Sequence, residues 1–360
     1  MRITPLTCTI AAIVLASAAC TRSSSALPAT IDAPSPAATI VVIPSPTPVR
    51  ITRLVFTGDV IPARCTYAKL RELGDYTAPF QPLHDLLAGA DITIGSLDAT
   101  TSDAGTPFGC TPTFSLAAPA AAVVGFKYAG YDVMSHAANH IKDCGTSPCG
   151  DDAMLQTDAN LRAAGIASVG TGVDLRDARK PIVIERNGVY FAFLAYDDIA
   201  NYYNATDDSP GSAPVDPSTV GQDIANAHKV ANVVIVMPHW GVEYTADPSD
   251  RQREFARAVA AAGGEMIVGN HPHWVQAHEQ VGGTFVAYAL GNFVFDQTWS
   301  EPTMEGMTLE LTFHGADLVQ ARMRPHIILD KAQPNFLDPA CDGRVVMGQV
   351  FNASKGLLDW

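Results

Sequence analysis

The stretch Val268–Gln276, VGNHPHWVQ, puts His271 and His273 one residue apart at the end of a short apolar run. Two imidazoles in that place are either metal ligands leaving a strand or ordinary loop histidines. Other residues able to ligate an ion or move a proton occur in the same setting. Asp59 follows RLVFTG, Asp98 follows ITIGSL, Asn139 and His140 follow YDVMSHAA, and His239 follows NVVIVMP. Oxygen and imidazole donors with no thiolate suit Mn, Fe or Zn, and a pair of such ions needs a carboxylate to bridge them. His271 and His273 alternate across a bend, so each would face a different ion. Taken singly, each residue has a plainer reading: an Asp after a strand usually serves a turn or cap, and a lone His there is more often loop or core. Their recurrence after five separate apolar runs is what points to metal.

For these side chains to meet, the runs before them must be strands with a common rim. From Ile51 onward, short apolar runs alternate with longer amphipathic ones. ITRLVF and ITIGSLD read as strands, with FQPLHDLLAGAD as a helix between them. APAAAVVGFKYAG, DAMLQTDANLRAAG and SDRQREFARAVAAAGG read as helices ending at glycine. PIVIERNGVYFAFLAY reads as a hairpin turning at Asn187-Gly188. NVVIVMPHW, EMIVG, TFVAYALG, MTLELTF and LVQARMRPHIIL make the second half rich in strands. The pattern predicts an α/β fold with mixed sheets. Open α/β sheets bind ligands beyond the carboxyl ends of their strands, which is where the candidate ligands fall.

Neighbouring polar residues invite supporting roles. His136, four residues before His140, would either hold a ligand through its ring N–H or pack in the core. Asp143 would orient His140 or start the turn at Gly145. Glu243 and Tyr244 would line a substrate cleft, Asn292 and Asp296 would fix their loop against the site, and Trp240 reads as packing. His84, His228, His278, His314 and His326 fit no partner pattern and read as surface or core.

The 360 residues suffice for one large domain or two small ones, and 47% hydrophobic with 17% charged residues is a globular composition. A formal net charge of −14 argues against nucleic acid as a partner, because displacing its counterions takes a basic face. Residues 1–20, MRITPLTCTIAAIVLASAAC, read as a signal segment. Ala16-Ser17-Ala18 fits ordinary secretion, and Ala18-Ala19-Cys20 fits a lipoprotein signal in which Cys20 is lipidated and anchors the chain outside the cytoplasm. A lipidated chain would leave the membrane fraction on Cys20→Ala. Residues 21–50, rich in Ser, Pro and Ala, read as a disordered tether, with one folded domain over 51–360. In an oxidising compartment, Cys144 with Cys149 and Cys65 with Cys110 are the natural disulfides, with Cys341 outside both pairs.

FTGDV, SHAANHIKDCG, PHWGVEY, GNHPHWVQ, LGNFVFDQ and, near the end, AQPNFL occur in this order. With them the chain resembles the CapA (poly-γ-glutamate capsule biosynthesis) family, which looks like a branch of the calcineurin-like metallophosphoesterases, from about Ile51 to the C-terminus. The resemblance implies a metallophosphoesterase-like four-layer sandwich of two mixed β-sheets flanked by helices, with two divalent metals at the strand ends. Asp59 would be the first ligand, Asp98 the bridging carboxylate and Asn139 a ligand of the second metal. His239, His271 and His273 would complete both spheres, and His140 would protonate the leaving group. The family usually has Asn-Leu-Glu where this chain has Ser96-Leu97-Asp98, and Asn-Asn-His where it has Ala138-Asn139-His140. Asp98 is one methylene shorter than that Glu, so bridging needs a closer backbone.

Two functions compete. In one, the metals activate water for attack on phosphorus or an acyl carbon, the substrate being a small phosphoester or a bond in an envelope polymer. In the other, the protein binds an anionic envelope polymer within a capsule-synthesis complex and helps export or anchor it without cleaving it. The shortened carboxylate at Asp98 favours the second.

Overall fold

A computed structural model describes residues 50–358. The expected signal segment with Cys20, and all but the last residue of the expected tether, lie outside the described residues.

Two mixed sheets stack face to face. In the first, Ile51–Val60 is central. Ile92–Leu97, Val133–Ser135 and Ala167–Val169 follow in parallel on one side, and Glu305–His314, Asp317–Leu329 and Gln333–Phe336 run antiparallel on the other. Asn292–Val294 joins the end of Ile51–Val60 in parallel. The second sheet has the order His278–Val281, Thr284–Ala287, Met266–Val268, Val233–His239, Val189–Asp197 and Ile182–Arg186.

Alternation along each strand sorts side chains between faces. Leu54, Phe56, Ile92, Ile94 and Val133 meet Phe191, Phe193, Val233, Ile235 and Met237 in the core between the sheets. Val55, Leu97 and Met134 point the other way, onto Phe80, Leu83, Phe126 and Leu161. Ala192, Leu194, Val234 and Val236 face Val220, Ile224, Phe255 and Val259 on the helices Val220–Ala227 and Asp250–Ala261. The layers are therefore helix, sheet, sheet, helix, the four-layer sandwich that the resemblance implies.

Local chemistry explains the joints. The Asn187-Gly188 hairpin forms with both residues at positive φ, as a type I′ turn requires. Ser249 and Gln252 close a reciprocal capping box on Asp250–Ala261. Cys65–Cys110 and Cys144–Cys149 are both bonded. Some elements differ from expectation. FQPLHDLLAGAD is a 3₁₀ segment, Ala78–Leu83, followed by a single turn, His84–Leu87, because Pro82 has no N–H to donate to a helix. The APAAAVVGFKYAG helix is shorter than its sequence pattern, running over Val123–Ala129 after a 3₁₀ turn. Helices Arg64–Leu73 and Arg344–Ala353 have no counterpart in the sequence reading.

Candidate metal centre

The candidate ligands converge at one rim because the central strands of both sheets end there. Asp59 lies at the end of Ile51–Val60, Asp98 just past Ile92–Leu97, and His239 ends Val233–His239. Asp59 pairs in register with Ser96 on one side and Asn292 on the other. Close approach of the chain segments makes this possible: a Cβ at Gly58 would overlap the carbonyl oxygen of Gly291, to which Asp59 N–H donates.

The donors lie close together. Asp59 Oδ1 accepts from Ser96 Oγ at 2.9 Å and Oδ2 from the backbone N–H of His271 at 3.2 Å. His239 Nε2 is 3.6 Å from Asp98 Oδ1, 2.8 Å from Asn139 Oδ1 and 3.1 Å from His271 Nδ1. His273 Nδ1 is 3.7 Å from Asp59 Oδ2. It also meets Asn292 Oδ1 at 2.9 Å, and the Asn292 amide donates to Gln297 and the Thr303 carbonyl. Asn292 therefore presents an acceptor to His273, which fixes the ring with Nε2 unprotonated. His140 Nδ1 is 2.6 Å from Asp143 Oδ2, which also takes the N–H of Leu116. Glu243 is exposed, with Oε1 4.0 Å from His273 Nε2.

Burial governs the electrostatics. It pushes Asp59 well up, helped by the neighbouring charge of Asp98, and raises Asp98 to about 6. It holds His239 and His271 well below the ordinary imidazole value and takes His273 down to about 4. His140 is the exception: burial alone would lower it, but Asp98 and Asp143 outweigh that and raise it to about 8. The three lowered histidines are thus neutral at pH 7, the state in which imidazole ligates.

Backbone strain gathers at the same rim. His271, His273, Tyr244 and Arg64 all have positive φ, a conformation costing a non-glycine residue about 1–3 kcal/mol and concentrated at functional sites.

As they stand, no three His, Cys, Asp or Glu side chains among the described residues are disposed to hold a metal; several donors contact one another instead. The chemistry of the set nevertheless fits divalent ions. Both oxygens of Asp98, Nδ1 of His239 and Oδ1 of Asn270 are buried without hydrogen-bond partners. Buried acceptors in that state are costly, and a cation satisfies them.

The supporting residues have mixed fates. Of the two readings of His136, the structure fits the packing one: the ring is buried and its Nδ1 lies 2.8 Å from Asp158 Oδ1 on helix Asp151–Ala163. Asp296 binds the guanidinium of Arg64 and the N–H of Cys65. Trp240 is buried, donating to the Tyr288 carbonyl. His278 and His326 lie in the core, while His228 and His314 lie nearer the surface.

Sequence reasoning missed three residues. Arg64 lies over Phe295 at 4.6 Å and borders a cleft of about 690 Å³ with Cys65, Pro112, Phe114, Asp296 and Trp299. Trp299 meets Tyr244 edge-on, and Tyr244 stacks on His273, so the cleft adjoins the rim. Asp197, buried at the end of Val189–Asp197 and in register with His239, is raised to about 7 by burial. Asp158 is the third. Only Asp197, an Asp after an apolar run, carried the signal used for the others.

The family described as Bacterial capsule synthesis protein PGA_cap matches residues 53–297. The PGA biosynthesis protein CapA of Bacillus subtilis (strain 168) is 40% identical over 172 residues, 47% of this chain and 44% of that one. The capsule biosynthesis protein CapA of Bacillus anthracis is 35% identical over 191 residues, 51% of this chain and 45% of that one. The matched region thus spans somewhat under half the length of these relatives. Among solved structures, a putative 5'-nucleotidase from Staphylococcus aureus in complex with alpha-ketoglutarate aligns with TM-score 0.49 and 10% identity, covering 84% of this chain and 58% of that one. The NAD nucleotidase of Haemophilus influenzae aligns with TM-score 0.42 and 11% identity, covering 84% and 56%.

Proposed function

The chain belongs to the bacterial capsule synthesis family PGA_cap, and from that premise we propose that its rim is a dinuclear metal centre hydrolysing a phosphoester or amide bond during synthesis of poly-γ-glutamate or another envelope polymer. The observation that carries this reading is Asp98: a carboxylate with both oxygens buried and unpartnered, 3.6 Å from His239 Nε2.

Asp59, Asp98, Asn139, His239, His271 and His273 would hold two divalent ions. Such ions supply Lewis acidity and a water activated at neutral pH. The chain's own groups do the rest. Asn292 holds His273 by its Nδ1–H and so keeps Nε2 unprotonated. Asp143 takes the Nδ1–H of His140, leaving His140 Nε2–H as the proton given to the leaving group. Asp98 and Asp143 set the charge that favours the protonated imidazole of His140.

The shorter carboxylate at Asp98 supports a second reading, an envelope factor that docks an anionic polymer without cleaving it. Turnover of an alkyl phosphoester such as glycerol 2-phosphate, whose alkoxide must be protonated to leave, with added Mn²⁺ separates the two. The enzyme reading expects hydrolysis that falls about 10²–10⁴-fold in His140→Ala. No hydrolysis, together with affinity for γ-glutamate oligomers unchanged in that variant, would favour the binder.

A further inference from the structure

The cleft beside Arg64 is tied by contacts to two residues of the rim. One of its walls is the chain from Cys110 to Phe114. The Cys65–Cys110 disulfide pins one end of that wall, and Arg64 Nη1 donates to the Thr113 carbonyl at 2.9 Å. Two residues past Phe114, the N–H of Leu116 donates to Asp143 Oδ2, the carboxylate that orients His140. Trp299, also on the lining, meets Tyr244 edge-on at 6.3 Å, and Tyr244 stacks on His273 at 6.1 Å. The cleft is thus joined to the proton donor through one segment and to a ligand of the centre through another. A substrate group next to the leaving oxygen has this cleft beside it.

The lining says what that group is. Its two charged residues, Arg64 and Asp296, neutralise each other, and Asp296 also accepts from the N–H of Cys65. The lining leaves no cation to receive a polymer carboxylate, and burying an unpaired charge there is costly. The occupant is therefore neutral. Phe114 is 92% and Trp299 61% exposed, so two flat apolar faces stand open to solvent on one cleft, the mark of a binding surface. Thr111 and Thr113 add hydroxyls to the same lining. These walls match a neutral ring with apolar faces and a hydroxylated edge, which among envelope components is a sugar. We propose that the cleft is a subsite for a neutral sugar ring, bonded to the oxygen that His140 protonates, and that the substrate is a glycan phosphoester. In its hydrolysis the oxygen of water bonds to phosphorus, the bond from phosphorus to the sugar oxygen breaks, and His140 gives that oxygen its proton. This rests on the hydrolytic reading of the rim and names its substrate class.

The test has a binding arm that needs no metal. The full chain in EDTA is titrated, with ligand-observed NMR, against tetramers of N-acetylglucosamine and of glucose, and against a γ-glutamate tetramer and adenosine. The inference expects a glycan to bind more tightly than the last two, and Phe114→Ala and Trp299→Ala each to weaken it about 3–10-fold. Both side chains are exposed, so melts like wild type are expected. With Mn²⁺ added, kcat/KM for glucose 6-phosphate should exceed that for glycerol 2-phosphate, and the ratio should fall by a similar factor in both variants. No glycan binding, glycan binding unchanged in both variants, or a preference for γ-glutamate or adenosine overturns the inference, as does a loss that merely parallels a lower melt. A ratio that neither variant changes overturns the placement of the ring at the leaving oxygen. Glycan binding weakened in the variants, with neither ester turned over by wild type, supports the sugar site and overturns hydrolysis at the rim.

Discussion

Asp59 and Asp98 set the terms at the scale of single residues. Two carboxylates buried at one rim repel each other, and each is pushed toward its neutral form by burial first. The sign for stability follows. A carboxyl raised in the fold keeps a proton that the unfolded chain has released, so its contribution is present at low pH and lost as pH rises through the folded value. For Asp98 that value is about 6. Asp98→Asn, melted in EDTA, is therefore expected to gain a few degrees over wild type at pH 8 and little near pH 3.8, the unfolded value at which the loss begins. Added Mn²⁺ should raise the wild-type melt at pH 8 and leave the variant where it was. Equal gains at both pH values would contradict the account of Asp98 as a buried charge awaiting a cation.

At the scale of elements, the rim depends on how closely Ile51–Val60 approaches the segment around Gly291. Gly58 has no side chain to interpose, and Asp59 N–H bonds the Gly291 carbonyl there. Gly58→Ala is expected to cost at least about 1–3 kcal/mol through overpacking, lowering the melt and displacing Asp59 from its donors. An unchanged melt with unchanged metal uptake would contradict the close fit. The same scale shows what the sequence made legible. Each apolar run followed by Asp, Asn or His could be read as a strand delivering a ligand, since strand periodicity and placement after the strand are both local properties. The pairing of His136 with Asp158 was not legible, because it joins a strand end to a helix face 22 residues on, and nothing local marks it. Arg64–Leu73 was hidden too. Its first residue has positive φ and its N-terminus lacks a side-chain cap, so the usual start signal is missing. The 3₁₀ segment at Ala78–Leu83 shows apolar spacing overridden by proline chemistry.

The described residues form a stack of four layers whose inner rim carries polar groups while the core carries others unrelated to the centre. His278 and His326 are buried, and burial, the first cause for each, lowers both to about 4. A histidine lowered in the fold works opposite to Asp98: as pH falls below about 6.5 the unfolded chain takes up the proton first, so stability is present above that value and declines toward pH 4. His326 donates to the Asn292 carbonyl and so supports the rim, whereas Nε2 of His278 has no partner. His278→Gln is accordingly expected to flatten the loss of melting temperature between pH 6.5 and 4.5, and a slope as steep as wild type would contradict this assignment. Under the proposed function, an envelope polymer would approach the rim through the cleft beside Arg64. The chemistry proposed for the rim depends on its holding metal. The metal content of the purified full chain after Mn²⁺ or Zn²⁺ loading, beside Asp98→Ala and His271→Ala, tests that most directly. About two ions per chain, lost in both variants, is the predicted result; no bound metal in the wild type would contradict it.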